Sequence, residues 1–86
     1  MIGAHEARVN ITWRGQNGDL PDPVRFDAGD ADVRQWVSEA IAGGGVPGVP
    51  ADARVQLGDH IVERFAANAN RPYHLIQVRP KTAFGG

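Results

Sequence analysis

Ala7-Arg8-Val9-Asn10-Ile11-Thr12-Trp13-Arg14-Gly15-Gln16-Asn17-Gly18-Asp19 reads as a strand followed by turn chemistry. Ala7, Val9, Ile11 and Trp13 alternate with Arg8, Asn10, Thr12 and Arg14. Successive strand side chains point to opposite faces, so this period of two predicts one face on a core and one on water. Asn17-Gly18 favours backbone with positive φ, which hairpins require, so the turn is expected there. The chain is then expected to return as a second strand from Leu20 to Asp27, with Val24 and Phe26 on one face. Pro21 and Pro23 have no N–H to give a ladder, so that strand should begin at an edge or irregularly.

A helix is expected from Asp30 to Ala42. Val33, Trp36, Val37, Ala40 and Ile41 fall at i, i+3, i+4, i+7 and i+8, an apolar stripe that assigns all five, Trp36 included, to the core. Asp30 is the expected N-cap, with Asp32 favourable in the first turn. Gly43-Gly44-Gly45 stops the helix, because glycine enters the left-handed conformation of a C-cap freely. Val46 to Asp52, with Pro47 and Pro50, is a stiff connection. Ala53 to Leu57 reads as a third strand and Gly58-Asp59 as a turn. His60 to Phe65 is apolar-rich, a strand or a short turn of helix. Ala66 to Pro72 is a polar loop, and Tyr73 to Arg79 is the last strand, ended by Pro80.

A hairpin, one helix and further strands imply an α+β domain: a mixed sheet of four to five strands packed on one helix. With the last strand feeding a tail, this is the β-grasp pattern. Residues 1–79 form the expected domain, and residues 80–86 a thin, flexible tail carrying Gly85-Gly86.

Composition narrows the function. Hydrophobic residues make up 42% and charged residues 22% of 86, and the formal net charge is −1. Lys and Arg do not cluster, so nucleic acid is not an expected partner. No run of 18 apolar residues predicts a membrane span. Without cysteine there is no disulfide framework, thiolate metal site or cysteine nucleophile, which fits a cytoplasmic protein. His5, His60 and His74 are far apart and predict no metal site. The glycines from Gly43 to Gly48 lack the Lys-Ser/Thr of a phosphate loop. No Ser-His-Asp order or acid pair suggests catalysis, so the chain is not expected to be an enzyme and no bound cofactor is expected.

Three stretches resemble the ubiquitin-like family. Gly48-Val49-Pro50-Ala51-Asp52, then Arg54-Val55-Gln56-Leu57-Gly58, look like the family's Gly-Ile-Pro-Pro-Asp connection, third strand and following glycine. His74-Leu75-Ile76 resembles its His-Leu-Val in the last strand. Gly85-Gly86 matches its mature terminus. The chain looks like a divergent bacterial modifier from a conjugation operon. Its tail is longer than ubiquitin's and carries Pro80-Lys81-Thr82-Ala83-Phe84, not a basic Leu-Arg sequence. Lys81 is its only lysine.

The resemblance implies a chemistry. An activating enzyme would adenylate Gly86 with ATP and Mg²⁺, and the acyl group would pass through a conjugating enzyme to target lysines. A deconjugating peptidase could reverse the bond. Arg79, Thr82 and Phe84 would line the tail that these partners read, with Phe84 as the hydrophobic anchor. The resemblance also favours Tyr73 and Leu75 inward. That leaves His74 and Ile76 outward, beside Gln56 at the matching position of the third strand, as a partial surface patch. Alternation alone permits the opposite, with Ile76 and Val78 in the core. Two rival functions stay open: a sulfur carrier with a C-terminal thiocarboxylate, and a non-covalent β-grasp interaction domain.

Overall fold

The computed structural model describes residues 3–81. Strand β1 (Glu6–Trp13) carries the expected alternation: Ala7, Val9 and Ile11 are fully buried, and the residues between them are half-exposed. It turns directly into β2 (Gln16–Asp19), with Trp13 paired to Gln16. The turn is therefore Arg14-Gly15, at φ 52° and 77°, and not the expected Asn17-Gly18. Two positive φ values match the right-handed twist of a two-residue hairpin. Asn17 and Gly18 instead serve inside β2. The Asn17 side-chain amide donates to Thr12 Oγ1 and Asn10 Oδ1, each at 2.9 Å. Gly18 lies under the carbonyl oxygen of Pro47, where a Cβ would collide.

The expected second strand is broken in two. β2 pairs with the C-terminal half of β1, and β3 (Val24–Arg25) pairs with Glu6 and Ala7. Pro21 and Pro23 lie in the gap, where a continuous ladder would need N–H groups they lack. Leu20 uses the break to turn inward, only 8% exposed.

Helix α1 (Asp30–Ala42) has the expected bounds. Its N-cap, however, is Gly29, with no side-chain cap. Asp30 is the first helical residue, and its carboxylate is committed to Arg64 at 2.6 Å. At the far end Gly44 N–H donates to Ile41 O and Gly45 N–H to Ala40 O, with Gly44 at φ 74°. This is the paired closure of a Schellman motif. Val33, Val37 and Ile41 are fully buried, but Trp36 is 39% exposed, contrary to expectation. Trp36 sits about 100° around the helix from Val37, beyond the row that the sheet covers.

No strand forms over Ala53–Leu57. Asp52 holds this segment in a turn: its Oδ1 accepts Arg54 N–H at 2.9 Å, and its carbonyl accepts Val55 N–H at 3.2 Å. The expected strand place is taken by β4 (Ile61–Phe65), antiparallel to β5 (His74–Arg79). β5 runs parallel to β1, giving the order β2-β1-β5-β4 with β3 also on β1. One helix across a mixed five-stranded sheet is a β-grasp arrangement.

The core lies between α1 and one sheet face. Val9 pairs with Ile76 and Ile11 with Val78, so these four share that face. Ile76 is 0% and Val78 1% exposed. Tyr73 and Leu75 are only half-buried and point to the opposite face, which corrects the expected orientation of the last strand.

Candidate functional site

The sheet face away from α1 is a surface organised by the register. One row crosses it as Arg8, Leu75 and Phe65, and the next as Asp19, Asn10, Gln77 and Glu63. Its β1–β2 half is polar. Asn10 donates its amide to Asn17 Oδ1, Gly18 O and Asp19 Oδ1 at 3.0, 3.2 and 2.8 Å. Its β4–β5 half carries an apolar group, Phe65, Leu75 and Tyr73, beside the polar Gln77, Glu63 and Arg79, and Phe65 is 39% exposed.

Arg71 fixes the aromatic end of this face. Its side chain donates to the carbonyls of Phe65, Ala66 and Tyr73 at 3.2, 2.9 and 3.0 Å. Arg71 and Arg8 also lie over the Tyr73 ring, with guanidinium carbons 5.9 and 5.7 Å from its centre. Asn68 closes the loop beneath: Oδ1 accepts the N–H groups of Asn70 and Arg71, and Asn68 N–H donates to Arg71 O. Phe65, the last residue of β4, and Tyr73 are thus presented at the two ends of a braced loop. Aromatic side chains with arginines beside them suit protein recognition, because they bury large area with little rotamer loss.

Arg79 ends β5 on the same face. Its Nε–H donates to Glu63 Oε1 at 2.6 Å. This bond holds the Glu63 carboxyl below its ordinary range and raises the guanidinium. The expected tail-lining residue is therefore already engaged by β4 where the chain leaves the sheet.

At the turn end, the Trp13 indole N–H donates to Asp52 Oδ2 at 2.9 Å, and Arg14 Nε lies 3.5 Å from the same oxygen. The indole bond, then Arg54 N–H, lowers the Asp52 carboxyl below its ordinary value. A carboxyl with a depressed folded pKa stabilises the fold above its unfolded pKa, about 3.9 for Asp. That contribution is lost as pH falls through the folded value. Asp52→Asn should therefore lower thermal stability at neutral pH, and the two melting curves should converge as pH drops below about 4. Thermal melts followed by tryptophan fluorescence test this; a constant gap across the titration would contradict it.

The proposed His74, Ile76 and Gln56 patch does not exist as one surface. Ile76 is inside the core. His74 lies on the core-side row, stacked on Phe26 with centroids 4.1 Å apart, and its Nδ1 accepts Ala67 N–H at 2.9 Å. Gln56 is exposed in the irregular segment after Asp52. Phe65, Leu75 and Tyr73 were missed as a group. The signal was available in the aromatic at the end of the His60–Phe65 run, but the face could not be assigned before the register was known. Thr82, Phe84, Gly85 and Gly86 lie outside the described residues. Among the described residues no three His, Asp or Glu side chains converge as a metal site, and no helix is long and apolar enough to cross a membrane. No protein-family model, curated protein or solved structure matches the chain.

Proposed function

We propose that the protein is a ubiquitin-like modifier, activated at Gly86 and joined through it to lysines of target proteins. One observation carries the reading. β5 lies between β1 and β4, and it delivers the chain at Pro80 to a segment bearing Gly85-Gly86. A segment fed from a strand with neighbours on both sides has a rigid base, and glycine would let a reacting carboxyl enter a narrow catalytic slot.

The chemistry needs activation because a carboxylate oxygen leaves poorly. In the partner enzyme a Gly86 carboxylate oxygen attacks the α-phosphorus of ATP, and pyrophosphate leaves. A partner thiolate then attacks the Gly86 carbonyl carbon, and AMP leaves. A lysine amine finally displaces the thiolate and loses its proton to form the amide. This chain contributes the electrophilic carbon and the surface that partners grip. The braced Phe65, Leu75 and Tyr73 group is the part of the folded domain best suited to that grip. The cytoplasm, where ATP and reduced thiols are abundant, is the compartment that suits this chemistry.

Removing Gly85 and Gly86 should abolish ATP-dependent attachment while leaving the melting temperature unchanged, because glycine has no side chain to contribute to a core. Attachment measured by gel shift in host lysate, beside thermal melts of both proteins, tests this. Retained attachment would overturn the reading. A sulfur-for-oxygen exchange at Gly86 without protein adducts would instead identify a sulfur carrier.

A further inference from the structure

The two borders of the sheet are unlike. On the β2–β3 side the border is broken by Leu20 to Pro23 and overlaid by the 46–49 loop. Pro47 O contacts Gly18 there, and Gly48 sits on the Asn17 carbonyl. On the other side β4 is a continuous five-residue strand with β5 as its one sheet neighbour among the described residues. Beyond that pairing, the backbone of Ile61 to Phe65 makes no other backbone hydrogen bond among the described residues. Such a strand directs about half of its N–H and C=O groups away from the sheet, a template for another strand.

We propose that the outer edge of β4 binds an extended segment of a partner protein by strand addition, and that this segment carries an acidic side chain on the α1 side. The α1 side of β4 is concave: an open cleft of about 310 Å³ has Arg34, Lys81, Asp30, Asp59, His60 and Ile61 among its lining residues. Its charges select the guest. Asp30 is neutralised by Arg64, at 2.6 Å. Arg34 makes no ion pair among the described residues; its Nε donates to His60 O at 3.2 Å, leaving its remaining N–H groups for a guest carboxylate. Lys81 adds a second cation on the same wall. Among the described residues Asp59 has no cation in contact, and with Asp30 taken by Arg64 the cations Arg34 and Lys81 outnumber it by one.

A second copy of this chain fits the edge poorly. Antiparallel self-pairing that centres β4 on its equivalent sets Arg64, already paired with its own Asp30, beside Val62, and so brings no free carboxylate to Arg34 and Lys81. A partner segment with its own acidic residue supplies one. Its residues on the far side fall beside Ile61, Phe65 and, between them, Glu63 held by Arg79, so apolar side chains are favoured next to Ile61 and Phe65. The segment is thus extended, apolar on one face and acidic on the other. This surface does not depend on Gly86 and is separable from the covalent chemistry.

The test is selection of displayed eight-residue peptides on the full chain, followed by amide hydrogen exchange of the complex. Selected peptides should alternate apolar residues with an Asp or Glu, and should slow alternate amides of Ile61–Phe65 by about tenfold or more. Arg34→Glu should weaken a selected acidic peptide by about tenfold or more, and a peptide with Lys in place of the acid should recover affinity for that variant. Exchange of the other amides would verify that the variant is folded. Failure to select any peptide, protection at β2 or on the open face alone, or self-association through β4 would each overturn the proposal.

Discussion

Ile76→Ala should cost about 2–5 kcal/mol of folding stability, the usual penalty for truncating a fully buried aliphatic side chain. Ile76 is 0% exposed and pairs with Val9 at the centre of the sheet. Its removal leaves a cavity under α1 that the neighbours fill only in part. A domain of this size holds about 5–15 kcal/mol in total, so the variant should lie near the limit of stable folding. Leu75→Ala, one residue away on the half-buried face, should cost clearly less. Urea denaturation of both variants checks the pair. Equal losses, or a larger loss at Leu75, would reverse the assigned faces of β5.

Gly18→Ala should also destabilise strongly, by about 1–3 kcal/mol, the range for overpacking a filled site. Here the obstacle is backbone: a Cβ at Gly18 runs into Pro47 O, with Val46 and Val49 side chains close behind. A long side chain could swing aside, but this carbonyl sits between two buried residues of a proline-bearing loop. Gly15→Ala meets no atom within 4 Å; its cost comes only from the positive φ of the turn, about 1–2 kcal/mol for an L-residue in the left-handed region. The diagnostic difference is structural. Gly18→Ala should displace Val46 and Val49 from the core, seen as shifted methyl resonances, whereas Gly15→Ala should leave them in place. Undisturbed Val46 and Val49 methyls in Gly18→Ala would contradict the packing of the 46–49 loop on β2.

What was legible in the sequence was what depends on near neighbours. The alternation from Ala7 to Trp13 and the Asp30–Ala42 periodicity with its glycine stop are local signals, and both elements formed where expected. Misreadings arose where a distant partner decides. Asn17-Gly18 suits positive φ better than Arg14-Gly15, where a non-glycine Arg14 takes φ 52°, and the choice rests on Asn17 bonding across to Asn10 and Thr12. Tyr73-Leu75 and Ile76-Val78 are both apolar sets, and the choice rests on the parallel register with Val9 and Ile11. Ala53–Leu57 has strand-like composition, yet Asp52 bonds its backbone into a turn and β4 takes the place beside β5.

The site divides the same way. Gly85 and Gly86 are plain in the sequence because their chemistry is carried by residue type. The gripping surface is not, because Phe65 and Leu75 are ten residues apart and become neighbours only through antiparallel pairing. Once Ile76 goes inward, the patch suggested by resemblance dissolves, and the aromatic face braced by Arg71 stands in its stead.

The most direct measurement is intact and peptide mass spectrometry of the protein after incubation with host lysate and MgATP. The account predicts heavier species, each a target protein plus this chain less one water, with Gly86 joined to a lysine side chain. An unchanged mass with activating enzyme shown to be present, or adducts joined through any residue other than Gly86, would contradict it.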